Sequence, residues 1–513
     1  MLSIIKSLYL QGLKGLDVEV QVDVSNGIPK YIIVGLPDVS LKESKERVTT
    51  AIKNSGFNLP SKKIIINLYP ANVHKGGAVF DLSIALGILF STGLIDLKFF
   101  NQIRDTVFIG ELSLDGRLKH ISGVLPICIE ARKLGKKRII IPKANLKETT
   151  FLKDMEILGA DSLKEVVDFL YGNIRLTKSN YSFAKDAISY DIDYSEIVGQ
   201  EFAKRAMEIA ASGGHNIILI GEPGSGKTML AQRLTTIMPE PTLEEAMDIT
   251  KVFSLAGKLT SEKSLILNRP FRCPNHGATI ANMVGGGINI KPGEFTLANH
   301  GVLFLDEFSE FRREVIEALR EPLESGDISV NRLNINIKFP ADFMLVAATN
   351  PCPCGFYGSE SKKCKCSEKQ INRYLRRISG PVMDRIDMQI EVNSIDCNKL
   401  YGFKSESSKS IKERVERARM IQRKRYSNYP IKLNSKLNGE MIKKFCEIDL
   451  ESRRLMKSAF DKLNLTIRGY YKILKIARTI ADLDDKETIQ TKHIAEAIQY
   501  RSLDRKYEYF KSK

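Results

Sequence analysis

No run of apolar residues in this 513-residue chain approaches the roughly 20 that a membrane-spanning helix requires, so no membrane partner is expected. The opening residues, Met1-Leu2-Ser3-Ile4-Ile5-Lys6, lack a basic leader followed by an apolar core, and no secretory signal is expected. Cysteine is sparse: eight residues in a chain of this length do not make a disulfide framework, which points to a reducing compartment, the cytoplasm. Acidic residues are in deficit, 61 against 78 lysines and arginines, for a net charge of +17. The deficit is uneven. From Tyr401 to Lys513, 28 basic residues face 15 acidic ones, a net +13. Such asymmetry suits a polyanionic partner, and it equally suits a solvated helical surface. The length exceeds what one core supports, so two to four domains are expected.

What is present begins with Gly221-Glu222-Pro223-Gly224-Ser225-Gly226-Lys227-Thr228, a G-x-x-x-x-G-K-T phosphate-binding loop. The apolar run Asn216–Ile220 before it predicts a buried strand, and Met229–Leu234 after it predicts a helix. Glycines let backbone N–H groups curl around phosphate oxygens, and the helix N-terminus adds partial positive charge. Lys227 is expected to reach the β/γ-phosphates of ATP, and Thr228 to hold Mg²⁺. Val302-Leu303-Phe304-Leu305-Asp306-Glu307 is an apolar strand ending in two carboxylates, like a Walker B element. Asp306 can help hold Mg²⁺ and Glu307 can orient the attacking water.

Around this centre the chain divides into 1–175, an α+β unit without a phosphate loop; 176–193, a polar linker; 194–400, the nucleotide-binding α/β unit; and 401–513, a basic helical unit. Strands are expected at Asp17–Val24, Tyr31–Val34, Lys63–Leu68 and Arg138–Ile141, and helices at Ser40–Asn54 and Leu163–Leu170. Glu201–Ser212 carries apolar residues at helical spacing, and residues 328–339 read as a β-hairpin with Arg332 near its turn. Cys352, Cys354, Cys364 and Cys366 form C-x-C…C-x-C, which can hold Zn²⁺ tetrahedrally or remain a loop of free thiols. Cys128, Cys273, Cys397 and Cys446 read as ordinary buried or partly buried residues. The basic helix Lys412–Arg425 is either a solvated face or the best local candidate for contact with a phosphate backbone.

Several further stretches resemble one family. Val34-Gly35-Leu36-Pro37-Asp38, Lys42–Val48, Lys75–Leu82 and Asn350-Pro351-Cys352-Pro353-Cys354-Gly355 are similar to the YifB/ComM family of magnesium-chelatase-like AAA+ ATPases, from residue 1 to about 505. The resemblance implies an N-terminal domain like that of Lon proteases, a central AAA+ P-loop domain with pore-facing inserts, and a C-terminal helical lid. Gly110–Leu118 also matches a turn of the Lon type. In the two Lon registers the serine position falls at Val79 and the lysine position at Leu125, so the domain reads as proteolytically silent. Arg269–His276 and Gly285–Gly287 look like the family's helix-interrupting insert. The family has paired histidines where this chain has Asn275-His276, which leaves His276 a structural or substrate-facing role. The resemblance makes Asn350 the first sensor. It makes Arg385 an arginine finger supplied to a neighbouring subunit, with a salt bridge to Asp384 or Asp387 as the alternative. It makes Arg468 the second sensor, reaching from the lid to the γ-phosphate, or else a solvated lid arginine. It further implies a homo-hexameric ring acting on single-stranded or branched DNA, a helicase promoting branch migration in recombination or transformation. A chelatase-like or chaperone motor that remodels a protein partner is the alternative.

Overall fold

The computed structural model describes residues 2–35, 38–71, 73, 75–179, 190–259, 265–287, 290–332, 335–359, 362–378, 380–393, 405–463 and 465–503. Leu36 and Pro37 of the family-like stretch, most of the expected linker, and Cys397 lie outside them. The fold is mixed α/β with a parallel sheet in its middle and helices at its C-terminal end.

The N-terminal unit is built on an eight-stranded sheet. Its strand order is Thr177–Lys178, Glu156–Ala160, Arg138–Pro142, Thr106–Phe108, Leu2–Gln11, Lys14–Ser25, Lys63–Tyr69, Tyr31–Val34. The expected strands and the helices Val39–Asn54 and Leu163–Leu170 lie where alternation and helical spacing put them. The sheet continues to Lys178, inside the stretch read as linker, because Thr177 and Lys178 pair with Gly159 and Leu158. Leu2–Gln11 and Lys14–Ser25 form a tight hairpin across Gly12 and Leu13, with Gly12 at φ +66°. A Cβ on Gly12 would lie 2.4 Å from Ile337, on the hairpin Asp327–Arg332/Ile335–Pro340 of the central unit. The same two units meet again at helix Leu243–Leu255: Gly123 donates its N–H to the Ser254 carbonyl (3.0 Å), and the Ser254 hydroxyl donates to the Glu148 carboxylate (2.7 Å). Val79 packs against the apolar cluster that contains the fully buried Leu125.

The central sheet is parallel, in the order Phe271–Arg272, Val302–Leu305, Met344–Thr349, Ile217–Gly221, Met388–Val392. Phe271 and Arg272 are thus an edge strand of this sheet, not part of an insert; the insert-like segment is helix Ile280–Val284 followed by Gly285–Gly286 paired with Lys291–Pro292. The four longer strands are almost entirely buried, as parallel strands covered on both faces must be. The C-terminal unit packs helices Ser408–Arg425, Gly439–Phe445, Leu450–Lys462, Ile467–Leu483 and Thr491–Gln499 into the core shared with the phosphate-loop strand. Among the described residues no helix is long and apolar enough to cross a membrane.

Candidate nucleotide site

Because the sheet is parallel, its carboxyl ends share one edge, and there the predicted groups converge. Gly221 ends the fourth strand of the five; Asn350 follows its neighbour on one side, and Asp306 follows the next strand out. Ligands of open α/β sheets bind at this edge. Gly221 cannot carry a side chain, since a Cβ would stand 2.1 Å from the Val392 carbonyl oxygen of the adjacent strand. Gly224 and Gly226 lie at φ +79° and +90°, a region open to glycine, and Gly226 caps helix Lys227–Ile237.

Within the loop, the Lys227 ammonium donates to the carbonyls of Gly221 (2.9 Å) and Glu222 (2.7 Å) and lies 3.4 Å from the Asn350 amide oxygen. Burial lowers its pKa, although Asp306 and Glu222 work against the shift. The Thr228 hydroxyl donates to Asp306 at 2.9 Å, so the two groups expected to hold Mg²⁺ are adjacent. A hydroxyl and a carboxylate are the hard oxygen ligands that Mg²⁺ takes. Glu307, just past the strand, sits at φ +51°, in the left-handed region where a side chain is strained. There the His276 Nδ1 stands 3.2 Å from its carboxylate. His276 therefore faces the Glu307 carboxylate. Gln200 is a residue whose role sequence reasoning missed. At φ +59°, it donates to the carbonyls of Ser225 (3.3 Å) and Asn393 (2.6 Å), clamping the loop to the outermost strand.

Arg385 and Arg468 are not at this edge. Both line a cavity of about 270 Å³ with Asn216, Gly301 and Met344, at the amino ends of the same strands. Five residue steps of about 3.3 Å put Asn216 about 17 Å of strand away from Gly221. Arg468, on the exposed start of helix Ile467–Leu483, thus does not reach the phosphate loop of its own chain, contrary to the lid-sensor expectation. Its position is fixed by the same helix: Lys472 donates to the Ile386 carbonyl (2.8 Å) and lies 3.6 Å from the buried Asp387. Arg385 pairs with Glu324 and donates to the Pro381 carbonyl (2.7 Å), so its ion pair is with neither Asp384 nor Asp387.

The basic helix Ser408–Arg425 is largely committed to the fold. Arg414 bonds Glu208 and Glu406, Arg419 donates to the Ala211 carbonyl, and Arg425 forms a two-pronged pair with the buried Asp482. Only its outer face, with Arg417, Arg423 and Lys424, stays exposed. Arg332 closes its strand of the hairpin. A denser basic surface lies elsewhere. A groove of about 830 Å³ beside the segment after Glu307 is lined by Arg313, Lys369, Arg373, Arg376 and Arg377, with Glu310 as the acidic member. Its cations come from two segments far apart in sequence.

The four expected metal-ligating thiols come together, all within 4.8 Å of one another, and can hold a metal ion. Burial opposes ionisation of Cys354, but N–H groups of Lys365 and Phe356 bring its thiol down to about 6. Cys128 and Cys446 are buried, whereas Cys273 is exposed.

Comparison with known proteins places these features. Residues 193–400 match the family model of magnesium chelatase, subunit ChlI; residues 20–145 match a second ChlI model, and 405–501 the ChlI C-terminal model. The chain is 41% identical over 510 residues to competence protein ComM of Haemophilus influenzae, and 40% over 508 residues to the uncharacterized protein YifB of Escherichia coli. Each alignment covers 98% of both chains. A more distant relative is the DNA replication licensing factor mcm6 of Dictyostelium discoideum, 22% identical over 365 residues, covering 68% of this chain and 38% of that one. The chain belongs to the YifB/ComM family of magnesium-chelatase-like AAA+ ATPases.

Proposed function

We propose that the protein is a ring-forming, ATP-hydrolysing motor that works on DNA in the cytoplasm, as a homo-hexameric helicase of the branch-migration type. The observation that carries the reading is the division of the nucleotide machinery between two edges of one sheet. The loop edge presents Lys227, Thr228, Asp306, Glu307 and Asn350; the opposite edge presents Arg385 and Arg468. One chain cannot bring both sets to the same phosphate. Head-to-tail packing of identical chains brings one subunit's arginines to the next subunit's loop, and a closed ring repeats that contact. In such a site Lys227 and the loop N–H groups hold the phosphates, Glu307 orients water, Asn350 positions it, and the arginines meet charge developing on the γ-phosphate. Thr228 and Asp306 would hold Mg²⁺, which would supply neutralisation of phosphate charge. The N-terminal unit takes no part in peptide hydrolysis, because Val79 and Leu125 supply neither a nucleophile nor a base.

DNA as the substrate is supported by the five-cation groove and by two relatives, a competence protein and a replication licensing factor. ATP turnover measured with and without single-stranded, duplex and four-way-junction DNA tests it. The reading predicts stimulation by DNA, and binding that ignores sequence and weakens steeply with salt as phosphates release counterions. Arg373→Glu with Arg376→Glu lowers the salt slope by about 2 if both contact phosphates, and leaves DNA-free turnover unchanged. Rings that hydrolyse ATP yet bind no DNA at low salt would contradict the reading and favour a motor that remodels a protein partner.

A further inference from the structure

We propose that Cys352, Cys354, Cys364 and Cys366 bind one Zn²⁺ in a closed structural site, and that this ion braces the wall of the nucleotide pocket. The second half of the proposal rests on the reading of Gly221–Thr228 as the nucleotide loop.

The sulfurs already have the required spacing. Cys352 and Cys354 are 3.4 Å apart, Cys354 and Cys364 3.6 Å, Cys352 and Cys364 3.7 Å, and Cys366 completes a set within 4.8 Å. Zn–S bonds of about 2.3 Å in a tetrahedron require sulfur–sulfur edges of about 3.8 Å. Four protein ligands leave no open coordination position, so the site is structural rather than catalytic. The Cys366 N–H points at the Cys364 sulfur at 3.4 Å, which favours its thiolate, and the turn carrying Cys352 and Cys354 is closed by the Gly355 N–H donating to the Cys352 carbonyl at 2.9 Å. Four thiolates around Zn²⁺ keep excess negative charge, which the exposed Lys362, Lys363 and Lys365 offset.

The loop is joined to the nucleotide site twice. Cys352 follows Asn350 by two residues and is fully buried, and Asn350 faces Lys227. Gly355, at φ +84°, lies so close to Pro223 of the phosphate loop that a Cβ there would stand 2.6 Å from the proline ring. On the other side, Ser367, next to Cys366, caps helix Glu368–Leu375, whose Tyr374 is buried. Cross-linking Cys352 and Cys354 to Cys364 and Cys366 removes freedom from the segment that carries both contacts.

The test begins with the full-length protein purified without chelator. Metal analysis should find one zinc per chain, and Co²⁺ exchanged into the site should show the absorption of tetrahedral cobalt thiolate. Cys364→Ser with Cys366→Ser should lose the metal and bind a fluorescent ATP analogue roughly tenfold more weakly. Gly355→Ala should keep one zinc per chain and still bind the analogue more weakly, separating the brace from metal loading. Stripping the parental protein with chelator should weaken binding, and added Zn²⁺ should restore it, which covers the case of a double variant that fails to fold. Protein that takes up neither zinc nor cobalt overturns the metal site. Protein that binds the analogue equally well with and without zinc overturns the brace. Parental, zinc-loaded protein that binds no ATP analogue contradicts the nucleotide reading instead, and leaves the metal result standing.

Discussion

Glu307 occupies a strained left-handed backbone position with its carboxylate beside His276, one residue beyond the Asp306–Thr228 contact. If it orients the attacking water, Glu307→Gln keeps ATP binding and lowers turnover by about 10²-fold or more, read by equilibrium binding alongside steady-state hydrolysis. Parental turnover in that variant would remove Glu307 from the chemistry. Lys227→Ala instead weakens nucleotide binding itself, because the ammonium that spans the loop is lost; a direct binding titration separates the two effects. These residues are legible in sequence because a glycine loop and an apolar strand ending in two acids encode their geometry locally. His276 and Gln200 are not, since their approach to Glu307 and to Ser225 is made by the fold and leaves no pattern at either end. The same holds for Glu324, which takes the Arg385 ion pair from 61 residues away.

Among the elements, alternation and helical period locate the half-buried pieces well, as in Lys14–Ser25 and Val39–Asn54. Helix Asp81–Thr92 carries no such signal, because nearly all of its residues are buried and no polar face remains to mark a period. Charge is the more ambiguous cue: the arginines of Ser408–Arg425 read as a solvated face or a contact for a phosphate backbone, but Arg414, Arg419 and Arg425 hold the helix onto its neighbours. The C-terminal helix Ile467–Leu483 is held through Asp387. Burial works against the charge of Asp387, yet Lys472 and His215 more than offset it and keep its carboxyl far below the usual range. Its native state therefore binds fewer protons than the unfolded chain near pH 4. The stabilisation is in place above about pH 4 and is lost as the pH falls toward the depressed native value. Asp387→Asn should cost about 3 kcal/mol at pH 7, since it leaves buried cations without their partner. Its deficit relative to the parent should shrink as the pH drops below about 4; urea unfolding at pH 7 and at pH 3.5 reads both. An equal deficit at the two pH values would show that Asp387 acts by shape and not by charge.

For the whole molecule, the arrangement of edges matters more than any single residue. The loop edge and the arginine-lined cavity lie at opposite ends of one sheet, about 17 Å apart along the phosphate-loop strand. Arg385→Ala should lower turnover by on the order of 10³-fold, the scale of an arginine finger, while leaving ATP binding at the loop intact. Arg468→Ala should act in the same direction, and neither variant should gain from further mutation of its own Glu307. The N-terminal unit touches both the helix Leu243–Leu255 and the hairpin near Ile337, so it is packed against the nucleotide-binding unit at two places, one of them the expected pore-facing insert.

The division of the site between neighbours is tested most directly by mixing two inactive subunits, Arg385→Ala and Glu307→Gln, and measuring ATP turnover of the assembled rings. In a randomly mixed ring roughly a quarter of the interfaces join an intact arginine edge to an intact loop edge. The account predicts turnover well above that of either variant alone, rising with the number of such interfaces. Mixed rings that demonstrably assemble and remain as inactive as the separate variants would contradict it, and would place Arg385 and Glu307 in one subunit's chemistry.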